Sequence, residues 1–164
     1  MIFLTVGTQF PFDRLVKAVD DLVAAGVIKD EVFAQIGDEA YQPRNFEAVA
    51  SLDKKAFDER IHEASALISH AGMGTITMAL DTGKPLLAMP RRRQYGEVVN
   101  DHQVAIARKF EQLGHLLVAY SSEELADKVE LLKRFQPSPR RVQPEAVVRR
   151  IEEFLEALSV KSGS

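Results

Sequence analysis

The stretch ISHAGMGTI, residues Ile68 to Ile76, ends an apolar run in a histidine and follows it with two glycines one residue apart and a threonine at the threshold of a helix. Those residue types at that spacing can build an anion seat. Gly72 and Gly74 let backbone approach a ligand closely, with Met73 between them, and the first amides of the helix meet it with the positive end of the helix dipole. Thr75 can cap the helix or donate its hydroxyl, and His70 at the strand end can donate a ring N–H to a phosphate oxygen. A plainer reading of the same residues is a tight strand-to-helix turn beside a packed histidine. Other nucleotide motifs are missing. VGTQFPF, Val6 to Phe12, is not G-x-G-x-x-G, and no G-x-x-x-x-G-K-[ST] occurs, so neither a dinucleotide enzyme nor a P-loop enzyme is expected.

Metal chemistry finds no ligand pattern. The histidines are His62, His70, His102 and His115, at spacings that make no H-x-x-x-H pair, and there is no D-x-D. No metal or other cofactor is expected, and His62 and His115 read as structural or exposed. Asp13 opens the first helix, where a carboxylate favours the helix N-terminus; the alternative is a catalytic base.

These residues need a scaffold, and the apolar pattern supplies one. Ile2 to Val6, Val32 to Ile36, Phe46 to Ala50, Ala66 to Ser69, Pro85 to Met89 and Leu116 to Ala119 read as strands. Helices are expected from the Leu15, Val16, Val19, Leu22, Val23 stripe, over Lys54 to Glu63, over Thr75 to Thr82 with Gly83 as its stop, and from Asp101 to Leu113 with Gly114 beyond. Ser121 with Glu124 forms a capping-box pattern that opens a further helix to Leu132. Alternating strands and helices predict an α/β fold, a Rossmann-like parallel sheet with helices on both faces. Ligands of such sheets sit beyond the carboxyl ends of the strands, where ISHAGMGTI lies. Residues 1–135 form the ligand-binding domain, and 136–164 add a Pro-rich hinge, Gln136 to Pro144, and an amphipathic helix striped by Val147, Val148, Ile151, Phe154, Leu155 and Leu158.

The 164 residues, 46% hydrophobic and 27% charged, suit one globular domain. A formal charge of −3 gives no general attraction for nucleic acid, so an anion site must be local. The absence of cysteine excludes disulfides, thiolate metal sites and cysteine nucleophiles. No apolar run reaches membrane-span length, and MIFLTVGTQ lacks the basic flank of a signal peptide, so a cytoplasmic location is expected.

ISHAGMGTITMALDTGKPLLAMP, followed by NDHQVAIARKFEQLG and preceded by LTVGTQFPFDRLV, resembles the C-terminal, donor-binding half of GT-B glycosyltransferases of family 28. It is similar above all to single-domain subunits of split UDP-sugar transferases, of the exopolysaccharide or capsule glucuronosyltransferase type and of the dolichol-linked N-acetylglucosamine type. The resemblance implies that His70 and the Gly72 to Thr75 loop hold the diphosphate of a UDP-sugar, with Gly7, Thr8 and Gln9 beside it. Gln103, with Asp101 and His102, would bind the hydroxyls of the donor sugar. Related full-length transferases carry a glutamate for the ribose hydroxyls where this chain has Met78, so ribose recognition must differ here.

The resemblance further implies transfer of a glucuronate or N-acetylglucosamine type sugar to a polyprenyl-diphosphate-linked glycan acceptor. The catalytic base would lie on a membrane-anchored acceptor-binding subunit, which would hold the chain against the cytoplasmic face of the membrane. Rival readings are a stand-alone UDP-sugar-binding regulatory module and a sugar-nucleotide epimerase-like protein. Arg91, Arg92 and Arg93 read either as a solvated face, or with one arginine on a phosphate or an anionic donor and the others near anionic lipid heads.

Overall fold

A computed structural model describes residues 1–38 and 40–139. Six strands form one parallel sheet: β1 (Ile2–Thr5), β2 (Val32–Gln35), β3 (Glu47–Val49), β4 (Ala66–His70), β5 (Leu86–Met89) and β6 (Leu117–Val118). Five α-helices join them: α1 (Asp13–Ala24), α2 (Lys54–Glu63), α3 (Met73–Thr82), α4 (His102–Gln112) and α5 (Ser122–Leu132). The spatial order is β3-β2-β1-β4-β5-β6. The strand order therefore reverses between β1 and β4, which run in parallel register from Ile2 opposite Ala66 to Thr5 opposite Ser69.

Period-two alternation assigns the apolar side chains to two cores. Ile2, Leu4, Ile68, Leu87 and Met89 pack with Leu15, Val16 and Val19 of α1 and with Leu125 and Val129 of α5. Phe3, Leu67, Leu86 and Ala88 face the other way, onto Ile61 of α2, Ile76 and Ala79 of α3 and Ala107 of α4. Both faces of the central strands are thus covered, as their unbroken apolar sequences require.

Local chemistry fixes the helix ends. The Asp53 carboxylate accepts from Ala56 N at 2.8 Å, and Gly83 adopts the left-handed conformation that ends α3. Ser121 Oγ accepts from Glu124 N at 3.4 Å, but the Glu124 carboxylate turns back to Tyr120 N at 2.9 Å, one residue before the expected cap.

Two expectations change. α3 starts at Met73 rather than Thr75, with Gly72 as its N-cap and no side-chain cap, so Thr75 is a first-turn residue, only 8% exposed. The cause is steric: a Cβ on Gly72 would lie 2.1 Å from His70 Cε1, so the imidazole takes the space a capping side chain needs. Strands and helices also fail to alternate once, because β2 passes to β3 without a helix. Buried Asp20 of α1 holds that crossover instead, accepting from Arg44 N, Asn45 N, Asn45 Nδ2 and the Tyr41 hydroxyl. The expected helix after the hinge lies outside the described residues.

Candidate functional site

At the carboxyl end of the sheet, where the strand order reverses, a cleft of about 490 Å³ opens between the β1–α1 loop and the β4–α3 turn. Gly7, Thr8 and Gln9 line one side, and His70, Gly72, Met73, Gly74 and Thr75 line the other. Gln103 enters from the first turn of α4, and Phe57 of α2 with Met78 of α3 supplies an apolar wall. Asp101 and His102 are not among the lining residues. Asp101 accepts from Arg93 N at 2.9 Å and His102 N donates to Asn100 Oδ1 at 3.1 Å, so both shape the loop ahead of α4.

The glycines have different tasks. Gly7 has φ +79°, and a Cβ there would sit 2.8 Å from His70 Nε2, while one on Gly72 would overlap the ring at Cε1, 2.1 Å away. His70 is thus held between two glycines. A Cβ on Gly74 meets nothing within 4 Å, so Gly74 opens onto free space in the first turn of α3.

His70 is electrostatically set. Burial pushes its pKa down, the nearby Arg91 cation adds to this, and the Gln103 side chain opposes both, leaving a value of about 4 against the ordinary 6.5. The ring is therefore neutral near pH 7 and can donate one N–H but adds no positive charge. Its Nδ1 is buried without a hydrogen-bond partner.

Behind the lining, a polar layer fixes the first loop. Buried Gln35 ends β2, donates through Nε2 to Gly7 O at 3.0 Å and Ala50 O at 3.1 Å, and accepts the Thr5 hydroxyl at 2.7 Å. Arg91, 4% exposed and itself part of the cleft lining, donates through Nη2 to Val6 O at 2.9 Å and Phe10 O at 2.6 Å. The arginine run therefore does not lie on one solvated face: Arg91 is buried, Arg92 half-buried and Arg93 exposed. The cause is the β1–α1 loop, whose Val6 and Phe10 carbonyls would otherwise lack these donors. Gln35 could have been noticed as a polar residue inside VFAQI; nothing in the sequence separates Arg91 from its charged neighbours, or Phe57 from the rest of its helix.

Asp13 does not reach the cleft. It is exposed at the start of α1, and its Oδ1 accepts from Tyr41 N at 2.9 Å. Among the described residues no carboxylate lines the cleft, and no group of three His, Cys, Asp or Glu side chains could hold a metal ion. A second depression, on the outer face of α2, is lined by Lys54, Lys55, Asp58, Glu59, His62 and Glu63. Its lysines pair with Asp58 and Glu59 one turn away, an ordinary solvated helix face.

Similar proteins are known. The human UDP-N-acetylglucosamine transferase subunit ALG13 is 32% identical over 124 residues, covering 70% of this chain and 10% of the human one. The corresponding subunit from Cryptococcus neoformans is 34% identical over 91 residues, covering 54% of this chain and 43% of that one. The chain thus spans between a tenth and less than half of these relatives. The crystal structure of Acinetobacter baumannii MurG superposes with a TM-score of 0.59 at 20% identity, over 82% of this chain and 42% of MurG. The solution structure of ALG13 does so with a TM-score of 0.57 at 19% identity, over 92% of this chain and 93% of that one. These likenesses confirm the Rossmann-like fold found in GT-B glycosyltransferases. The glycosyltransferase family 28 C-terminal domain matches residues 1–158, a span that runs through every described strand and helix and both loops of the cleft. The chain belongs to that family.

Proposed function

We propose that the cleft binds the diphosphate of a UDP-sugar, and that the chain is the donor-binding part of a hexosyltransferase acting on a lipid-linked acceptor in glycan biosynthesis. The observation that carries this reading is the open first turn of α3 at Gly74, facing the Gly7–Gln9 loop across the point where the strand order reverses. Free amides of a helix N-terminus there offer hydrogen bonds and partial positive charge to a diphosphate. Phe57 and Met78 offer an apolar wall for a flat base, and the printed name of the ALG13 relatives supports N-acetylglucosamine over glucuronate as the donor sugar.

As the acceptor hydroxyl attacks the anomeric carbon, charge builds on the departing UDP. The α3 amides and the neutral His70 N–H stabilise that charge, a role that requires no metal ion. A base must take the acceptor proton. With a pKa of about 4, His70 is a weak one, and no described carboxylate lines the cleft. The base therefore comes from a membrane-anchored partner that also binds the polyprenyl-diphosphate-linked acceptor. Exposed Phe10, Met73, Tyr95 and Val99, on segments at the carboxyl end of the sheet, offer that partner an apolar rim. In this reading the chain works on the cytoplasmic membrane face, held there by its partner.

The apolar residues from Val147 to Leu158, outside the described residues, are expected to add to the hold on that partner. Deleting the residues after Arg141 is expected to abolish co-purification with the partner and transfer to the lipid acceptor, while UDP binding persists. Unchanged partner capture by the deleted chain would refute the role of the stripe, and full transfer by the lone chain would refute the need for a partner.

A further inference from the structure

Arg91 is a buried cation with an unusual set of partners. One nitrogen, Nη2, bridges the carbonyls of Val6 and Phe10, which bracket the Gly7–Gln9 segment, and the guanidinium lies 5.0 Å above the Phe12 ring. Its backbone N–H donates to Gln103 Oε1 at 3.1 Å. The nearby carboxylate, Glu97, is already engaged by Arg14 Nε at 2.7 Å, Arg14 Nη2 at 2.9 Å and Arg92 N at 2.9 Å. A buried charge normally has its own counter-ion; this one is held by two carbonyl oxygens and an aromatic face.

We propose that Arg91 is the positioning residue of the cleft, holding the β1–α1 loop closed through its guanidinium and fixing the Gln103 amide through its backbone N–H. The carbonyls at positions 6 and 10 converge on a single nitrogen, so the intervening residues are held as a closed cup. Gln103 Oε1 accepts the Arg91 N–H, and the Gln103 side chain also hydrogen-bonds His70, so the amide is held in place at the cleft. Among the described residues Arg91 is also the charged group acting on the His70 ring, which otherwise meets the uncharged backbone of Gly7 and Gly72 and the Gln103 amide. One side chain thereby sets the loop, and its charge adds to the burial that holds the histidine neutral.

This inference rests on the reading of the cleft as the donor site, and the test separates the two. In the full chain, Arg91→Met and Arg91→Gln are compared with the parent by amide hydrogen exchange of residues 7–10, by NMR titration of His70 and by calorimetry with UDP. Loss of a charge-assisted hydrogen bond predicts roughly tenfold or faster exchange in Arg91→Met, and UDP affinity about tenfold weaker. The His70 midpoint is expected to rise above about 4 by a similar amount in both variants, since both remove the cation beside the ring. Arg91→Gln keeps an amide donor and loses the charge; it is expected to show smaller changes in loop exchange and UDP affinity but the same rise of the His70 midpoint, and it decides the matter if Arg91→Met does not fold. Parent-like loop exchange or an unmoved His70 midpoint in a folded variant would overturn the proposal. A parent chain that does not bind UDP would refute the donor-site reading, leaving the exchange and His70 results to judge Arg91.

Discussion

At the scale of single residues, the two glycines of G-x-G separate cleanly. Gly72→Ala forces a methyl onto the imidazole and is expected to displace His70, whereas Gly74→Val adds bulk where nothing lies within 4 Å. Both variants should weaken UDP binding by an order of magnitude or more, in line with the loss of one or more hydrogen bonds. Only Gly72→Ala should disturb His70: its ring resonances are expected to shift in the free protein, while those of Gly74→Val stay at parent positions. NMR of the free variants with calorimetry for UDP checks both, and equal UDP affinity in Gly74→Val and parent would contradict the assigned diphosphate position. The motif itself was legible in the sequence, since glycines, a histidine and a helix start lie consecutively. The division of labour was not, because it depends on where the ring of a residue two positions earlier falls. Arg91 was hidden for a similar reason: in RRR, burial is decided by carbonyls eighty or more residues away in the chain.

At the scale of elements, the strands and most helix bounds could be read from apolar period and caps; α2 falls on Lys54–Glu63 as expected. The start of α3 could not, because a helix capped by glycine gives no polar cap signal, nor could the crossover from β2 to β3, because its anchor lies on another element. Asp20 is that anchor. Burial alone would raise its pKa, but the Arg44 N–H, the Asn45 side chain, the Tyr41 hydroxyl and the Asn45 N–H outweigh it and bring it below the ordinary 3.8. A carboxylate depressed in the folded state adds stability that is complete above 3.8 and is lost as pH falls through its lower folded value. Asp20→Ala leaves those donors unpaired and is expected to cost about 2 kcal/mol near neutral pH, measured by urea unfolding. The gap between variant and parent should narrow when the titration is repeated well below pH 3.8. A gap independent of pH would show that the carboxylate charge is not what holds the crossover.

For the whole molecule, the parallel sheet in the order β3-β2-β1-β4-β5-β6 brings two loops from distant parts of the chain to one crevice. Alternating elements made that architecture readable in advance; the strand order itself needed coordinates, since local patterns do not say which strands are neighbours. With no described carboxylate in the crevice, EDTA is expected to leave donor binding and transfer by the assembled enzyme nearly unchanged, and strict dependence on Mn²⁺ or Mg²⁺ for donor binding would count against helix-end stabilisation of the leaving group. The most direct test of the donor-site account is titration of the ¹⁵N-labelled full chain with UDP, followed amide by amide. Saturable shifts are expected at Gly7 to Gln9 and at Gly72 to Thr75, with the His70 midpoint moving upward as the diphosphate arrives. No change at those amides under saturating UDP, or shifts confined to the outer face of α2, would contradict it.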